Sequence, residues 1–136
     1  MFPMKTGTGL SLAVLLVIFL RIYLNVRKTR HKPRLFAGEK FLEAFREELQ
    51  DLSQGAGDPS EFLEHAFPRH EKAYLTFRPQ LKGKSLEEFD QAWKDYSNGG
   101  RESFLAPYSA DGNIDLAREK RALALRRIRK LLSLAR

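Results

Sequence analysis

The sequence predicts an all-α protein with a single N-terminal transmembrane helix, a small cytoplasmic helical domain and a basic amphipathic C-terminal helix. Three observations carry that expectation: the division of charge along the chain, an apolar run inside the first charged block, and apolar residues recurring at helical spacing beyond it, without strand-like alternation of any length. Met1 to Arg34 holds seven Lys/Arg and no acid, Leu35 to Asp115 nine against 16 acids, and Leu116 to Arg136 eight against one. The expected organisation is an anchor with a basic collar over residues 1–34, an acidic, aromatic-rich domain over 35–112 and a basic helix over 113–136.

The anchor comes first. Leu10, Leu12, Val14, Leu15, Leu16, Val17, Ile18, Phe19 and Leu20 are nearly continuous, and Thr6 to Leu24 gives 19 residues whose only charge is Arg21. At roughly 1.5 Å per residue that is about 28 Å, close to a hydrocarbon core of about 30 Å. Arg21 then has to reach the interface along its own aliphatic stem. With Arg27, Lys28, Arg30, Lys32 and Arg34 it is expected to meet lipid headgroups, and this cationic excess after the run places the N-terminus outside and the larger C-terminal part in the cytoplasm. A cleaved secretory signal is the competing reading; small residues at cleavage positions are missing and the basic collar opposes translocation.

Pro33 to Gly38 reads as a hinge. Glu39 to Ser53 then carries Phe41, Leu42, Phe45, Leu49 and Leu52 on one helical face, with Glu43, Glu47, Glu48 and Asp51 on the other. Gln54 to Gly57 ends that helix. Asp58, Pro59 and Glu61 supply a cap, a first-turn proline and a capping-box acid for the next, which Pro68 is expected to interrupt. Pro79 and Gly83 close this stretch, and Ser85 with Glu88 forms a second capping box ahead of Leu86, Phe89, Ala92, Trp93 and Tyr96. Asn98 to Gly100 is a stop. Phe104, Leu105 and Tyr108 are expected to fold back onto the core, and Asn113 to cap the last helix.

That last helix carries the sharpest local pattern. Ala117, Ala124, Leu125, Ile128, Leu131, Leu132 and Ala135 share one face, and Arg118, Arg126, Arg129 and Lys130 the other. Four uses are open: packing on the acidic helices of its own chain, docking into a partner protein, lying on an anionic bilayer, or following a nucleic-acid backbone. Nucleic acid ranks last, because no aromatic or polar side chain is interleaved with the cations. For a partner, Leu125, Ile128, Leu131 and Leu132 are the apolar contacts, while Arg126, Arg129 and Lys130 set orientation and on-rate.

Chemistry-bearing patterns are sparse. The absence of cysteine excludes disulfides, thiolate metal sites and cysteine nucleophiles. His65, His70 and Glu71 lack zinc spacing and a third ligand. Asp111, Gly112, Asn113 and Asp115 resemble part of a calcium loop, yet the first ligand position falls on Pro107 and the last on Arg118, so a turn entering a capped helix is the simpler reading. Glu47 with Glu48, and Glu87 with Glu88, read as solvated helix faces. The aromatic set from Phe41 to Tyr96 reads as core, with an exposed surplus as the sign of a helix-binding groove. No phosphate loop or catalytic grouping occurs, so no enzyme activity, cofactor, metal or small-molecule substrate is expected. The stretch from His70 to Tyr96 fits no named family and transfers no functional residue.

The function expected is that of a single-pass membrane-anchored accessory or adaptor subunit holding a partner protein at the cytoplasmic membrane face. The alternatives are a membrane-tethered binder of nucleic acid or anionic lipid acting through the last helix, and a small membrane-active effector.

Overall fold

A computed structural model describes the backbone from Phe2 to Arg136 and the side chains of residues 15–21 and 34–136. The described residues form four α-helices, α1 Phe2–Gln54, α2 Ser60–Phe77, α3 Gly83–Ser97 and α4 Ile114–Leu134, with 3-10 turns at Arg78–Gln80 and Ala106–Tyr108 and no strand. The all-α expectation therefore stands. The chain divides into two compact units, Met1–Leu35 and Phe36–Arg136.

The first unit is the N-terminal part of α1. Leu15, Leu16, Val17, Ile18, Phe19 and Leu20 are all exposed, by 48% at Ile18 to 78% at Phe19. At about 100° per residue six successive side chains point in every direction around the axis, so this stretch has no polar side. Among the described residues no helix is long and apolar enough to cross a membrane. Most of the stretch expected to span one, including Leu10, Leu12 and Val14, lies outside the residues with described side chains.

The second unit is built around the C-terminal part of α1. Phe41, Phe45 and Leu52, at helical spacing, are buried against Leu63, Phe67, Tyr74 and Phe77 of α2, Phe89, Ala92 and Tyr96 of α3, and Ala124, Ile128 and Leu131 of α4. The rings interlock: Phe41 packs on Phe77 and Phe89 with centroids 5.5 Å apart in each case, and Tyr74 stacks on Trp93 at 4.6 Å. Such pairs add about 0.5–1.5 kcal/mol each beyond their area burial. Phe104 and Tyr108 do fold back onto this core, as expected.

Three sequence expectations need correction. Pro33–Gly38 is not a break, because α1 runs through it. Gly38 is needed for close approach instead: a Cβ there would lie 2.7 Å from the carbonyl oxygen of Ala135. Pro68 does not interrupt α2, which continues to Phe77. A mid-helix proline costs about 3 kcal/mol, and the burial of Leu63, Phe67, Tyr74 and Phe77 on the face away from exposed Pro68 offsets it. Finally, α3 starts at Gly83 rather than after Ser85, with extended Lys82 before it and no side-chain cap; buried Leu81 fixes the chain just upstream.

Of the other starts, α4 has its expected cap, whereas α2 has Pro59 at its N-cap position with no side-chain cap, and Asp58 acts one residue earlier. Asp58 Oδ1 accepts from the Ser60 backbone N–H at 2.9 Å, while Oδ2 accepts from the Ala110 N–H at 2.9 Å, tying the start of α2 to the loop before α4. Asn113 accepts from the Leu116 N–H and caps α4. After α3, Asn98 takes the left-handed conformation at φ 51°. Arg121 closes the end of α1 from outside that helix: its guanidinium donates to the carbonyls of Asp51, Ala56 and Gly57 and lies 5.5 Å from the Phe62 ring centroid. The Asp51 carbonyl also accepts from the Gly55 N–H at 2.7 Å, while Ala56 and Gly57 lie beyond the helix, where a buried fork of donors serves their carbonyls. Between α2 and α3, Arg78 grips Asp90 through two bonds of 2.8 Å, and the Tyr74 hydroxyl donates to the same carboxylate.

Replacing a mid-helix glycine with alanine ordinarily stabilises by about 1 kcal/mol. At Gly38 the sign is expected to reverse, with Gly38→Ala lowering stability by about 1–2 kcal/mol as the Ala135 carbonyl is pushed away. Urea denaturation of the full chain in detergent measures this, and a stabilised variant would contradict the close approach.

Candidate partner-binding face

Helix α4 divides its residues as an amphipathic helix should. The outcome differs from the partner surface expected of it. Ile128 and Leu131 are completely buried in the chain's own core, which corrects their assignment as partner contacts. In one buried cluster with Phe41 and Phe45, they are part of what holds the second unit together, so no partner reaches them in the folded chain. Leu125 and Leu132 are half-buried, packed on the rim of the core with one side still open.

The charge of α4 behaves differently from its apolar face. Arg121 is its one residue that meets an acid among the described ion pairs, 3.5 Å from Asp51. Arg118, Arg126, Arg129 and Lys130 are exposed, and none forms an ion pair among the described residues. The helix therefore packs on its own chain through leucines, alanines, Ile128 and two arginines, Arg121 on carbonyls and Arg127 on Tyr108, while Arg118, Arg126, Arg129 and Lys130 are left facing solvent. Complementing the acidic helices is not what holds α4 in place.

Between α1 and α4 the surface sinks into a groove of about 380 Å³ lined by Leu42, Arg46, Leu49, Gln50 and Ser53 from α1 and Leu125 and Arg129 from α4. Leu42 is 41% exposed. Leu42 and Leu49 are seven residues apart, as are Leu125 and Leu132, so each pair stacks two turns apart along its helix. From the sequence Leu42 and Leu49 belong to the core face of α1. In the structure that face is wider than its neighbours cover, and its edge becomes one wall of the groove.

The residues expected at the membrane divide by what is described. Leu15 to Leu20, Arg21 and Arg34 are exposed. The side chains of Arg27, Lys28, Arg30 and Lys32 lie outside the described residues, as do those of Leu10, Leu12 and Val14.

Sequence reasoning missed a polar network inside the second unit. Glu48, expected on a solvated face beside Glu47, is only 4% exposed. Its Oε1 accepts from His70 Nε2 at 2.5 Å and from Arg69, whose Nε also donates to the Ala44 carbonyl. His70 is fully buried, stacked on Phe45, with Nδ1 2.8 Å from the Tyr96 hydroxyl. The Tyr108 hydroxyl donates to the Tyr96 carbonyl and lies 3.4 Å from Arg127 Nη1. Every buried side-chain polar atom among the described residues has a partner. The signal that could have found the network is His70 itself: on a helix face shared with Ala66, Phe67 and Tyr74, a histidine has to find partners across the core.

Burial pushes the His70 imidazole below its ordinary value, against the opposing pull of Glu48. Burial acting alone would raise the Glu48 carboxyl, but hydrogen bonds and charge from His70 and Arg69 outweigh it and hold Glu48 low. A neutral imidazole fits both bonds, donating from Nε2 to the carboxylate and accepting the Tyr96 proton at Nδ1. Both atoms are thus consumed internally. His65 is exposed and Glu71 half-buried; no group of three or more potential metal-binding side chains occurs among the described residues. Asp111 and Gly112 both have positive φ, forming a turn into the Asn113 cap.

No family model, curated protein or solved structure matches this chain. The features available for a functional reading are therefore those of the chain itself: the bare apolar stretch, the open groove and the unpaired cations of α4.

The network sets a pH dependence. His70 and Glu48 both titrate lower in the folded chain than in the unfolded one, so the unfolded chain binds more protons and acid favours it. Stability from His70 is present above its ordinary value of 6.5 and is lost as pH falls through its folded value; loss from Glu48 follows below 4.5. The urea midpoint is expected to fall between about pH 7 and pH 5, and His70→Gln to flatten that interval. An unchanged slope in the variant would show that the buried imidazole does not titrate there.

Proposed function

We propose that this protein is a single-pass membrane-anchored accessory subunit that holds a partner protein at the cytoplasmic membrane face. The observation that carries the reading is Leu15 to Leu20: six successive apolar side chains, all exposed, in a unit whose described residues offer them no protein cover. Water is a poor medium for such a stretch, since a helix apolar on every side gains by leaving it. Within the 19 residues from Thr6 to Leu24 this stretch is central, and the collar from Arg21 to Arg34 follows it with six cations and no acid. Near an anionic leaflet each cation contributes about 1 kcal/mol. The side of the membrane follows from the same cations.

The second unit supplies the binding part of the reading. It buries its catalytically versatile groups, Glu48 and His70, in mutual hydrogen bonds, and leaves leucines and arginines on its surface. That composition suits holding rather than transformation. A second reading, attachment of α4 to anionic lipid or nucleic acid, draws on the unpaired Arg118, Arg126, Arg129 and Lys130.

Fractionation with successive high-salt and alkaline carbonate washes tests the anchor. The full chain is expected to stay in the pellet, and Val17→Asp with Phe19→Asp to move into the supernatant, because each central aspartate costs about 3 kcal/mol in lipid. Wild-type chain released by carbonate would remove the anchor. Purification in gentle detergent tests the partner: a protein co-purifying at fixed stoichiometry, and surviving about 0.5 M salt, where the Debye length falls below about 8 Å, is expected. A chain emerging alone and monodisperse counts against the accessory role, and retention abolished by salt favours the second reading.

A further inference from the structure

We propose that the groove between α1 and α4 is a docking site for an acidic amphipathic helix of a partner protein. The inference rests on the accessory reading above and names the kind of segment this face would take. Its floor is apolar and recessed: Leu42 and Leu49 on one side, Leu125 on the other, with about 380 Å³ between them. Leu42 and Leu49, two turns apart on the α1 wall and faced by Leu125 on α4, match the rise of a third helix laid along the groove, whose own apolar residues would enter at three- and four-residue intervals.

Charge selects the occupant. Arg46 and Arg129 line the groove, Gln50 and Ser53 add no charge, and Arg126 and Lys130 stand exposed on the same helix as Arg129. The acid that engages the groove, Glu43, bonds Arg46 at 3.2 Å with both side chains about two-thirds exposed. An exposed pair of this kind is worth at most about 1 kcal/mol and exchanges readily for another carboxylate. Arg129 has no ion pair to give up. A helix with leucine-type residues on one face and carboxylates beside them would therefore fill the apolar floor and meet the unpaired Arg129 and the exchangeable Arg46 at the rim. Phosphate backbones gain nothing from an aliphatic floor that carries no aromatic ring.

The probe is a synthetic peptide of about five helical turns, with Leu at alternating three- and four-residue intervals and Glu elsewhere. Controls are a peptide of the same composition with Leu scattered around the helix, and one with Lys in place of Glu. Binding to the full chain in uncharged detergent is followed by fluorescence anisotropy. Saturable binding of the first peptide alone is expected, weakened about tenfold or more by Leu42→Glu, a loss equal to about 1.4 kcal/mol. Arg129→Glu should weaken the acidic peptide and strengthen the Lys peptide, a reversal that a folding defect cannot produce. Ile114→Glu, at an 80% exposed apolar site elsewhere, should change neither.

Four results would overturn the proposal: no saturable binding, equal binding of the scattered peptide, indifference to Leu42→Glu, or absence of the charge reversal. So would a dimer in detergent lost on Leu42→Glu, which would give the groove to a second copy, or release from anionic vesicles by Leu42→Glu, which would give it to lipid. Failure of the accessory reading is separable. A chain that washes off membranes leaves the peptide affinities standing, and a co-purifying partner retained undiminished by Leu42→Glu removes the groove alone.

Discussion

The Glu48 carboxylate cannot be buried unless several elements are held in one arrangement, and the second unit depends on that constraint. It sits on α1; His70 and Arg69 come from α2, and Tyr96 from α3. Tyr108 in its 3-10 turn and Arg127 on α4 complete a line of polar groups through every helix of the unit. Leaving such a charge buried without partners would cost several kcal/mol. A core of aromatic rings tolerates many near-equivalent packings, whereas a chain of hydrogen bonds with fixed lengths does not. Rings supply the burial, and the carboxylate with its partners selects among the ways the rings could be arranged.

Around this, the helix ends are held from a distance rather than by neighbours in sequence. Arg121 reaches from α4 to the carbonyls that close α1, and Asp58 joins the beginning of α2 to the loop at Ala110. Both ties connect early chain to late chain. They explain why α4, which looks separable by charge, belongs to the same compact unit as α2, α3 and the C-terminal part of α1. The division the structure draws lies between Leu35 and Phe36 instead.

Much of this was legible in the residues and some was not, for definable reasons. Helical spacing announced the buried faces of α2, α3 and α4, and the Asn113 cap announced the start of α4, because these depend on residues a few positions apart. Pro68 and Gly38 misled because both are local breakers overridden by distant packing: one lies on an exposed side, the other lets Ala135 come close. Glu48 misled because an acid beside another acid is usually solvated, and its partners are more than 20 residues away. The α4 pattern identified an apolar face correctly and left open what would cover it. Ile128 and Leu131 were taken by the core, while Leu125 and Leu132 stayed at its edge, a distinction of one helical wall that needs the neighbouring helix to be seen.

The position of α4 in the order of helices also bears on how the molecule is made. Leu15 to Leu20 leave the ribosome long before Ile128 and Leu131, and those late residues complete the buried cluster that holds Phe41 and Phe45 of the same helix that begins at Phe2. Before then α2 and α3 can supply the ring partners of Phe41 and Phe45, but the side of the core that Ile128 and Leu131 complete is uncovered, and the carbonyls that Arg121 will occupy remain open to water. A nascent chain must keep that sticky face out of reach of other chains until its last helix arrives. Early capture of the leading segment by a bilayer would do so, by fixing each growing chain apart from its neighbours while the remainder is still being added.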